Sequence, residues 1–197
     1  MQILQIINSV FTSNTYLLNS DTESSCWLID IGDIKPVLEL IPSDKNIKGV
    51  FLTHTHYDHI YGINKLIECY PECIVYTARA GKEALFCDKM NISRYHEDPI
   101  IFSGSNVCLL REGDSIELFQ GEWLNIAETP GHDLSCLTYY TEKEIFTGDS
   151  YIPGIKVIAS FPRSNKTDAE TSKNRILRLA SNRNLYPGHG EIHKLEL

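Results

Sequence analysis

The feature that most constrains this chain is a cluster of imidazole and carboxylate side chains directly after an apolar segment. Residues 47–53 predict a buried strand, and the run that continues it is Thr53-His54-Thr55-His56-Tyr57-Asp58-His59. In an extended segment His54 and His56 point the same way, and a helix predicted to begin near Asp58 favours a carboxylate at its start. The pattern H-x-H-x-D-H would arise by chance on the order of 5 × 10⁻⁴ times in a chain of this composition. Imidazole and carboxylate together suit Zn²⁺ and related transition metals.

Composition excludes several classes of protein. The 197 residues include 18 Lys and Arg against 26 Asp and Glu, a net charge of −8, which disfavours binding to nucleic acid or to an anionic membrane. The chain has no uninterrupted apolar stretch long enough for a membrane span, and its first eight residues predict a strand rather than a signal peptide. Six cysteines without a C-x-x-C pair are expected to be reduced and mostly in the core. We therefore expect one cytoplasmic domain spanning residues 1–197.

Strand and helix signals occur in both halves of the chain. Apolar runs rich in β-branched and aromatic residues predict strands at 2–7, 15–18, 26–31, 47–53, 73–77, 107–110, 115–118, 123–127, 136–140 and 144–146. Helices are predicted after Pro36, from near Asp58, over 78–93 and after a capping box at 167–170, the last with Ile176, Leu177 and Ala180 on its buried face. Residues 97–106 are expected to form a loop. The alternation suggests two sheets with helices outside them.

Three later turns add residues of the same chemical type. They are His132 in Thr-Pro-Gly-His, Asp149 in Phe-Thr-Gly-Asp and His189 in Tyr-Pro-Gly-His-Gly. A His or Asp in a turn is by itself more often solvated or capping. Together with the first cluster, however, these residues supply five His and two Asp. That set is large enough for two metal sites that share one carboxylate.

With these motifs in this order, the chain resembles the metallo-β-lactamase superfamily. Asp30, in Leu-Ile-Asp-Ile-Gly-Asp, matches that family's first motif, and 14–17 resembles the strand before it. The resemblance runs from about residue 10 to residue 190. It implies an α+β fold, a four-layer αβ/βα sandwich in which helices flank two mixed β-sheets. The metal site would lie at the edge where the two sheets meet.

The resemblance also implies roles for the motif residues. One metal would be held by His54, His56 and His132, a second by Asp58, His59 and His189, and Asp149 would bridge the two. Asp30 would orient a ligand His by a hydrogen bond. Two Zn²⁺ are expected, with Fe or Mn as alternatives. A hydroxide held between the metals would attack a carbonyl, and Asp58 would accept the proton.

For other residues near the motifs, the sequence supports less specific predictions. Candidates for substrate contact are Tyr57, Arg163 and Lys166, with Tyr151 and Phe161 as further cleft residues. Lys166 stands where glyoxalase II-like members of the family often have Arg. His96 and His193 match nothing in the family pattern and are expected at the surface. Cys136 is expected to pack near the site without binding a metal.

Among the branches of the family, the chain resembles the compact glyoxalase II-like group, which hydrolyses thioesters and has relatives that open lactones. True β-lactamases of the best-known class are secreted and usually carry Cys at the position of Asp149, and the flavodiiron branch carries Glu at that of His56. The nucleases of the family favour basic surfaces, unlike this acidic chain. We therefore expect a small ester or thioester substrate, no nucleic-acid partner and no membrane partner, and make no prediction of the oligomeric state.

Two departures from the glyoxalase II pattern leave other functions open. Eight residues follow His189, so a C-terminal helical extension that helps hold glutathione is expected to be missing or built differently. Asp133 stands where the family commonly has Thr or Ser. A persulfide dioxygenase-like enzyme with a single Fe²⁺ shares the H-x-H-x-D-H motif, and a lactonase is a further alternative. A non-catalytic metal-binding module is disfavoured because all seven ligand positions are present.

Overall fold

Two β-sheets pack against each other in the computed structural model, which describes residues 1–195. The first sheet contains β1 (Gln2–Ile7), β2 (Asn14–Asn19), β3 (Ser25–Ile29), β4 (Asn46–Phe51), β5 (Ile74–Thr77) and β6 (Val107–Leu109), and consecutive strands pair. The second contains β7 (Ser115–Phe119), β8 (Glu122–Glu128), β9 (Leu137–Tyr140), β10 (Glu144–Gly148) and β11 (Asn184–Pro187), again paired consecutively. Both sheets mix parallel and antiparallel pairs.

Helices connect the parallel strands and cover the outer faces of the sheets. The helices are α1 (Ile34–Leu40), α2 (Tyr57–Ile60), α3 (Ile63–Cys69), α4 (Arg79–Leu85) and α5 (Lys166–Leu179). The first four lie in the crossovers between β3 and β6, because adjacent parallel strands need a long connection. Helix α5 buries Ile176 against Ile145 and Leu185 of the second sheet.

The period-two pattern of the strands explains the four layers. On β3, Cys26 and Leu28 enter a core shared with the helices, whereas Trp27 and Ile29 enter the core between the sheets. Alternate residues of a strand point to opposite faces, so a strand that is apolar on both faces needs a layer on each side. The predicted αβ/βα sandwich is confirmed.

The edge of the sandwich brings the motif loops together. The amide of Leu137 in the second sheet donates to the carbonyl of Thr53, which follows β4 (2.7 Å). Gly188, which follows β11, donates to the carbonyl of Gly148 (2.9 Å) and accepts from the amide of Asn14 (2.7 Å). The first bond joins the end of β4 to the start of β9, and the other two join the ends of β10 and β11 to each other and to the start of β2.

Three predicted helices differ from those observed. The helix predicted over 78–93 ends at Leu85, because Phe86 leaves helical geometry (φ −96°, ψ 12°), and Ile92 further on is left-handed (φ 57°). The helix predicted from near Asp58 is split into α2 and α3 at Gly62, whose amide donates to the carbonyl of Ile31. The helix after 165 is capped by the Asn165 side chain, not by the predicted capping box, and Leu177 is exposed rather than buried.

Two further details differ from expectation. No strand was predicted at β11, which is four residues long and pairs with the distant β10. All six cysteines are free, as expected, but they are not mostly in the core. Only Cys26, Cys73 and Cys136 are buried, and Cys69 and Cys108 are exposed. No helix in residues 1–195 combines the length and the apolar character that crossing a membrane requires.

Candidate metal centre

Seven side chains from four loops meet at the edge of the sandwich. Four follow β4, and one each follows β8, β10 and β11. They form three sets of candidate ligand atoms, and within each set these atoms lie within 4.8 Å of one another. The sets are His54-His56-His132, Asp58-His59-His189 and His54-His59-Asp149. The structure thus brings together all seven residues that the motifs predict.

Asp149 lies between the two groups that the resemblance implies. One of its carboxylate oxygens is 3.5 Å from Nε2 of His59, and the other is 3.5 Å from Nε2 of both His132 and His189. Oδ2 of Asp58 is 3.2 Å from Nε2 of His189 and 3.4 Å from Nε2 of His59. A carboxylate that faces both groups has the position that a ligand shared by two metals needs.

Backbone carbonyls determine which nitrogen of two histidines faces the centre. Nδ1 of His132 donates to the carbonyl of Ile158 (2.8 Å), and Nδ1 of His189 donates to the carbonyl of Phe11 (3.0 Å). A carbonyl only accepts, so Nδ1 carries the hydrogen in both rings. In the neutral rings Nε2 is then free to bind a metal.

Asp30 orients two more of the histidines. It has a positive φ of 57° and accepts hydrogen bonds from the amide and hydroxyl of Thr53, both at 2.7 Å. Its second oxygen lies 2.9 Å from Nδ1 of His59, and the Thr53 hydroxyl lies 3.2 Å from Nδ1 of His54. Asp30 therefore contacts His59 directly and reaches His54 through Thr53.

Several central atoms lack a partner that a cation would supply. Within residues 1–195, Nε2 of His54 and Oδ1 of Asp149 are buried without a hydrogen-bond partner. Nδ1 of His56 and Nε2 of His132 lie 2.9 Å apart, and the second of these carries no hydrogen in a neutral ring, so without a metal it can accept a hydrogen bond from His56. The donor set of five imidazoles and two carboxylates fits a divalent transition metal.

The first group favours neutral histidines. Burial lowers the pKa of His54 well below its ordinary value of 6.5, and the neighbouring His59 and His56 add to this effect. Burial and the adjacent His132 lower the pKa of His56 to about 4. Neutral imidazole is the form that binds metal, so these rings are ready as ligands at pH 7.

The second group favours protonated histidines when no metal is bound. Burial alone would lower the pKa of His59, but Asp58, Asp149 and Asp30 outweigh it and raise the pKa to about 9. Asp149 and Asp58 likewise overcome burial at His189 and raise its pKa to about 10. The same pairing holds the pKa of Asp149 well below 3.8, against the effect of burial. The second group thus holds protons in the place of a metal.

Asp133 lies behind His56. Its Oδ2 is 3.8 Å from Nε2 of His56, the nitrogen that faces away from the centre. Its Oδ1 accepts from the amide and hydroxyl of Ser135 (2.8 and 2.6 Å), and Nε of Arg163 lies 3.4 Å from Oδ2. The carboxylate is 1% exposed; Ser135 satisfies Oδ1, whereas Oδ2 is buried without a hydrogen-bond partner among the described residues and faces the Arg163 guanidinium and the His56 ring. Asp133 therefore lies behind His56 without a direct hydrogen bond to it.

Two glycines leave room for the shared carboxylate. A Cβ on Gly188 would lie 2.2 Å from Oδ1 of Asp149 and 3.1 Å from the His59 ring. A Cβ on Gly148, where φ is +50°, would lie 2.5 Å from the hydroxyl of Thr53. Both positions are in the loops where the sequence shows Gly beside a candidate ligand.

A cleft of about 630 Å³ lies over the candidate ligands. His56, Asp58, His132, Asp149 and His189 line it on the ligand side. The remaining lining residues are mostly apolar: Phe11, Ile92, Tyr95, His96, Ile158, Phe161 and Pro162. Phe161 is the one of the predicted cleft residues that lines this cleft. The sequence offered no signal for the others, which belong to loops without a periodic pattern.

The predicted substrate residues lie in different places. Tyr57 stacks on His96 (ring centroids 4.1 Å apart). The sequence predicted His96 at the surface away from the site, but in the structure it borders the cleft. Lys166 and Tyr151 border a separate hollow of about 610 Å³, because α5 begins at Lys166 and directs it away from the ligands. His193 is exposed, as expected.

Arg163 is also absent from the lining of the large cleft. Its guanidinium turns toward Asp133 and donates to the carbonyl of Ala80 (3.0 Å). Cys136 is buried, outside the three sets of candidate ligands, and accepts from the amide of Asp133 (3.3 Å). Pairing with a buried carboxylate explains why Arg163 lies behind the ligands and not over them.

Comparisons with known proteins agree with this geometry. The family model described as the metallo-beta-lactamase superfamily matches residues 9–189. The chain is 31% identical over 147 residues to the hydroxyacylglutathione hydrolase of Psychromonas ingrahamii, which covers 73% of this chain and 49% of that protein. The hydroxyacylglutathione hydrolase of Salmonella typhi is 28% identical over 151 residues, 75% of this chain and 52% of that protein. The chain thus spans about half the length of these curated relatives.

Solved structures show the same fold. The B3 metallo-beta-lactamase BLEG-1 superposes with a TM-score of 0.85 at 21% identity, covering 97% of this chain and 93% of that one. The protein TTHA1623, solved in a di-iron-bound form, superposes with a TM-score of 0.82 at 23% identity, covering 97% and 94%. With the fold, the ordered motifs and the family match in agreement, this chain belongs to the metallo-beta-lactamase superfamily.

Proposed function

We propose that this chain is a dinuclear metal-dependent hydrolase that cleaves a small ester or thioester. The observation that carries the proposal is the position of Asp149, which faces a three-histidine group on one side and a carboxylate-containing group on the other. His54, His56 and His132 would hold one metal, Asp58, His59 and His189 would hold the other, and Asp149 would bind both. Zn²⁺ is the expected ion, with Fe or Mn as alternatives. When bound, two divalent metals lower the pKa of water toward neutrality and polarise a substrate oxygen.

The side chains around the metals have separate tasks. Asp30 holds His59, the Phe11 carbonyl holds His189, and Asp133 lies behind His56, so the ligands need little rearrangement. Asp58 borders the cleft and its side chain is 12% exposed, so its carboxylate can accept a proton from the attacking water. Its pKa is lowered by His59 and His189 in spite of burial, which keeps it ionised for that task.

A covalent acyl-enzyme is not part of this proposal. The sequence contains no G-x-S-x-G turn, so it offers no serine nucleophile of that type. Cys136 is buried, and burial raises the pKa of its thiol, which keeps the sulfur protonated and unreactive. Water is therefore the expected nucleophile.

The relatives support a thioester as the substrate class. Two curated relatives are hydroxyacylglutathione hydrolases, whose name specifies a glutathione thioester. The region matched by the family model, residues 9–189, contains all seven candidate ligands. Because the chain spans about half the length of those proteins, we do not infer from them that the leaving group is glutathione.

The proposal is tested by metal reconstitution and one pair of variants. Chelated protein should regain hydrolysis of a simple thioester as two equivalents of Zn²⁺ or Mn²⁺ are added. Asp58→Asn should lower kcat by at least about 100-fold, whereas Lys166→Met, in the separate hollow, should leave kcat unchanged. Full activity in Asp58→Asn, or a product burst equal to the enzyme concentration, would contradict the proposal.

Analysis of the bound metal also distinguishes the proposed hydrolase from the main alternative. A mononuclear iron dioxygenase would be purified with one Fe per chain and would consume oxygen with a thiol-derived substrate. Iron deserves this test because TTHA1623, which shares the fold, was solved with two iron ions. One iron with oxygen consumption and no hydrolysis would replace the hydrolase proposal; hydrolysis without oxygen consumption supports it.

A further inference from the structure

The lining of the cleft indicates which substrates would fit it. Resting on the proposed function, we propose that the acyl group of the substrate is apolar and uncharged. This group would pack against the side chains that line the cleft away from the metal ligands. These side chains, the apolar wall, are Phe11, Ile92, Tyr95, His96, Ile158, Phe161 and Pro162.

Large apolar side chains of the wall are exposed within one cleft. Phe11 is 64% exposed, Tyr95 73% and Ile158 54%. Exposed apolar side chains scattered singly need no explanation, but their convergence beside candidate metal ligands is typical of a ligand site. An apolar group placed in the cleft would remove these surfaces from water, which favours binding in proportion to the area covered.

Strained backbone holds parts of the wall in place. Phe11 and Thr12 have φ of 50° and 55°, and Ile92, a β-branched residue, has φ of 57°. Such residues avoid positive φ, so neighbouring contacts must impose it. Asn91 provides one such contact, since its side-chain amide donates to the carbonyls of Ala84 (3.1 Å) and Ile100 (2.9 Å).

Aromatic contacts link the wall to the candidate ligands. The His96 ring stacks on Tyr57 and meets the edge of Phe11, with ring centroids 5.7 Å apart. Phe161 meets the rings of His56 (4.9 Å) and His132 (5.6 Å). The carbonyls of Phe11 and Ile158 orient two metal ligands while their side chains line the cleft. An acyl group against the wall would therefore lie directly beside the metals.

The wall offers no ammonium or guanidinium group to an anionic acyl group. Among the described residues, no Lys or Arg lines the cleft. Lys156 borders an adjoining hollow of about 280 Å³, not the cleft itself. A carboxylate packed against the wall, away from the metal ligands, would lose its hydration without gaining a Lys or Arg partner.

The test compares acyl groups on a neutral leaving group. N-acetylcysteamine thioesters of acetate, butyrate, hexanoate and succinate are offered to the metal-loaded protein. We expect kcat/KM to rise about fourfold per methylene from acetyl to hexanoyl, the gain for moving a methylene out of water. Succinyl, equal to butyryl in chain length but anionic, should react at least about tenfold more slowly than butyryl. Equal values across the series, or faster succinyl hydrolysis, would overturn the proposal.

A matched pair of variants tests the wall itself. Tyr95→Ala removes an exposed ring from the cleft, and Trp123→Ala removes a ring that is 48% exposed on β8, away from the cleft. The ratio of hexanoyl to acetyl kcat/KM should fall at least about fivefold in Tyr95→Ala and stay constant in Trp123→Ala. An unchanged ratio in Tyr95→Ala, or an equal fall in both variants, would contradict the assignment.

A binding measurement separates this inference from the proposed function. Hexanamide and acetamide are titrated into metal-free protein by calorimetry, and hexanamide should bind more tightly. If hexanamide binds preferentially but no thioester is hydrolysed, the hydrolase proposal fails and the apolar site stands. If thioesters are hydrolysed without preference and hexanamide binds no better than acetamide, the apolar site fails and the hydrolase stands.

Discussion

The two groups of candidate ligands are similar in geometry and opposite in electrostatics. The three-histidine group is His54, His56 and His132, and the carboxylate group is Asp58, His59 and His189; each keeps its ligand atoms within 4.8 Å. Burial lowers the pKa of His54 and His56, whereas neighbouring carboxylates raise the pKa of His59 and His189 above 6.5.

This difference indicates that the two metals would bind under different conditions. In the three-histidine group, the lowered pKa values keep His54 and His56 neutral at pH 7, so these two rings release no proton when a metal binds. The carboxylate group attracts cations more strongly but must release protons first. Geometry alone would suggest two equivalent sites, whereas the surrounding charges predict that their metal affinities depend differently on pH.

Replacing Asp149 should have the largest effect, because it contacts both groups. We expect Asp149→Ala to weaken metal binding by more than the roughly 10–100-fold that loss of an outer hydrogen-bond partner costs. Competition titration with a chelator measures this change. Glu170→Gln, an exposed carboxylate on α5, is the control and should bind metal as the wild type does. Two metals retained in Asp149→Ala at unchanged affinity would show that it does not bridge.

The pH dependence of binding should distinguish the two groups. From pH 7 to 9 the affinity of the carboxylate group should rise, by about tenfold per pH unit for each proton displaced, since His59 and His189 have pKa values of about 9 and 10. The three-histidine group should change little over this range. Titrations at pH 7, 8 and 9 yield both dissociation constants. If the affinities of the two metals changed equally with pH, the two groups would not differ in proton release.

Asp133→Asn should affect the three-histidine group alone. The substitution removes the charge behind His56 and should weaken that metal about tenfold, as expected for a group that orients a ligand. The carboxylate group should keep its affinity, and KM should not change, because Asp133 does not line the cleft. Equal weakening at both groups would indicate general destabilisation instead of an effect on His56.

The stability of the metal-free protein should show a smaller, two-sided pH effect. His54 and His56 have lowered pKa values, so the unfolded chain binds more protons below about pH 6.5 and stability falls toward pH 4. The raised pKa values of His59 and His189 stabilise the fold below about pH 6.5, and this stability is lost as the pH rises through about 9 and 10.

Together these effects predict the highest melting temperature of the metal-free protein near pH 6.5. The melting temperature should fall on both sides, as scanning calorimetry would measure. His56→Gln should flatten the acidic side and His189→Gln the alkaline side. A melting temperature that rises steadily from pH 6.5 to 9.5 would disprove the assignment of protons to the carboxylate group.

The sequence predicted the ligands because they are clustered or lie in distinctive turns. His54, His56, Asp58 and His59 occupy one short segment after a strand, and the family order supplied the three distant partners. Asp30 was predicted because it lies in a family motif. The sequence did not predict the hydrogen bond between Asp30 and Thr53, through which Asp30 reaches His54.

The cleft was far less predictable. Phe11, Ile92 and Tyr95 reach it from loops whose positive φ angles or irregular turns are set by tertiary contacts, such as the Asn91 hydrogen bonds. Lys166 and Arg163 are near the motifs in sequence, but a helix start and a buried ion pair direct them elsewhere. Sequence spacing therefore predicted which candidate ligands the fold brings together, and it failed for side chains whose direction depends on packing.

The central claim is that two metals share Asp149. Anomalous diffraction from crystals of the Zn²⁺-loaded protein tests it most directly. We expect two peaks about 3.5–4 Å apart, one within the three-histidine group and one within the carboxylate group, with an Asp149 oxygen bound to each. A single peak at full Zn²⁺ occupancy, or two peaks of which one has no contact with Asp149, would contradict the account.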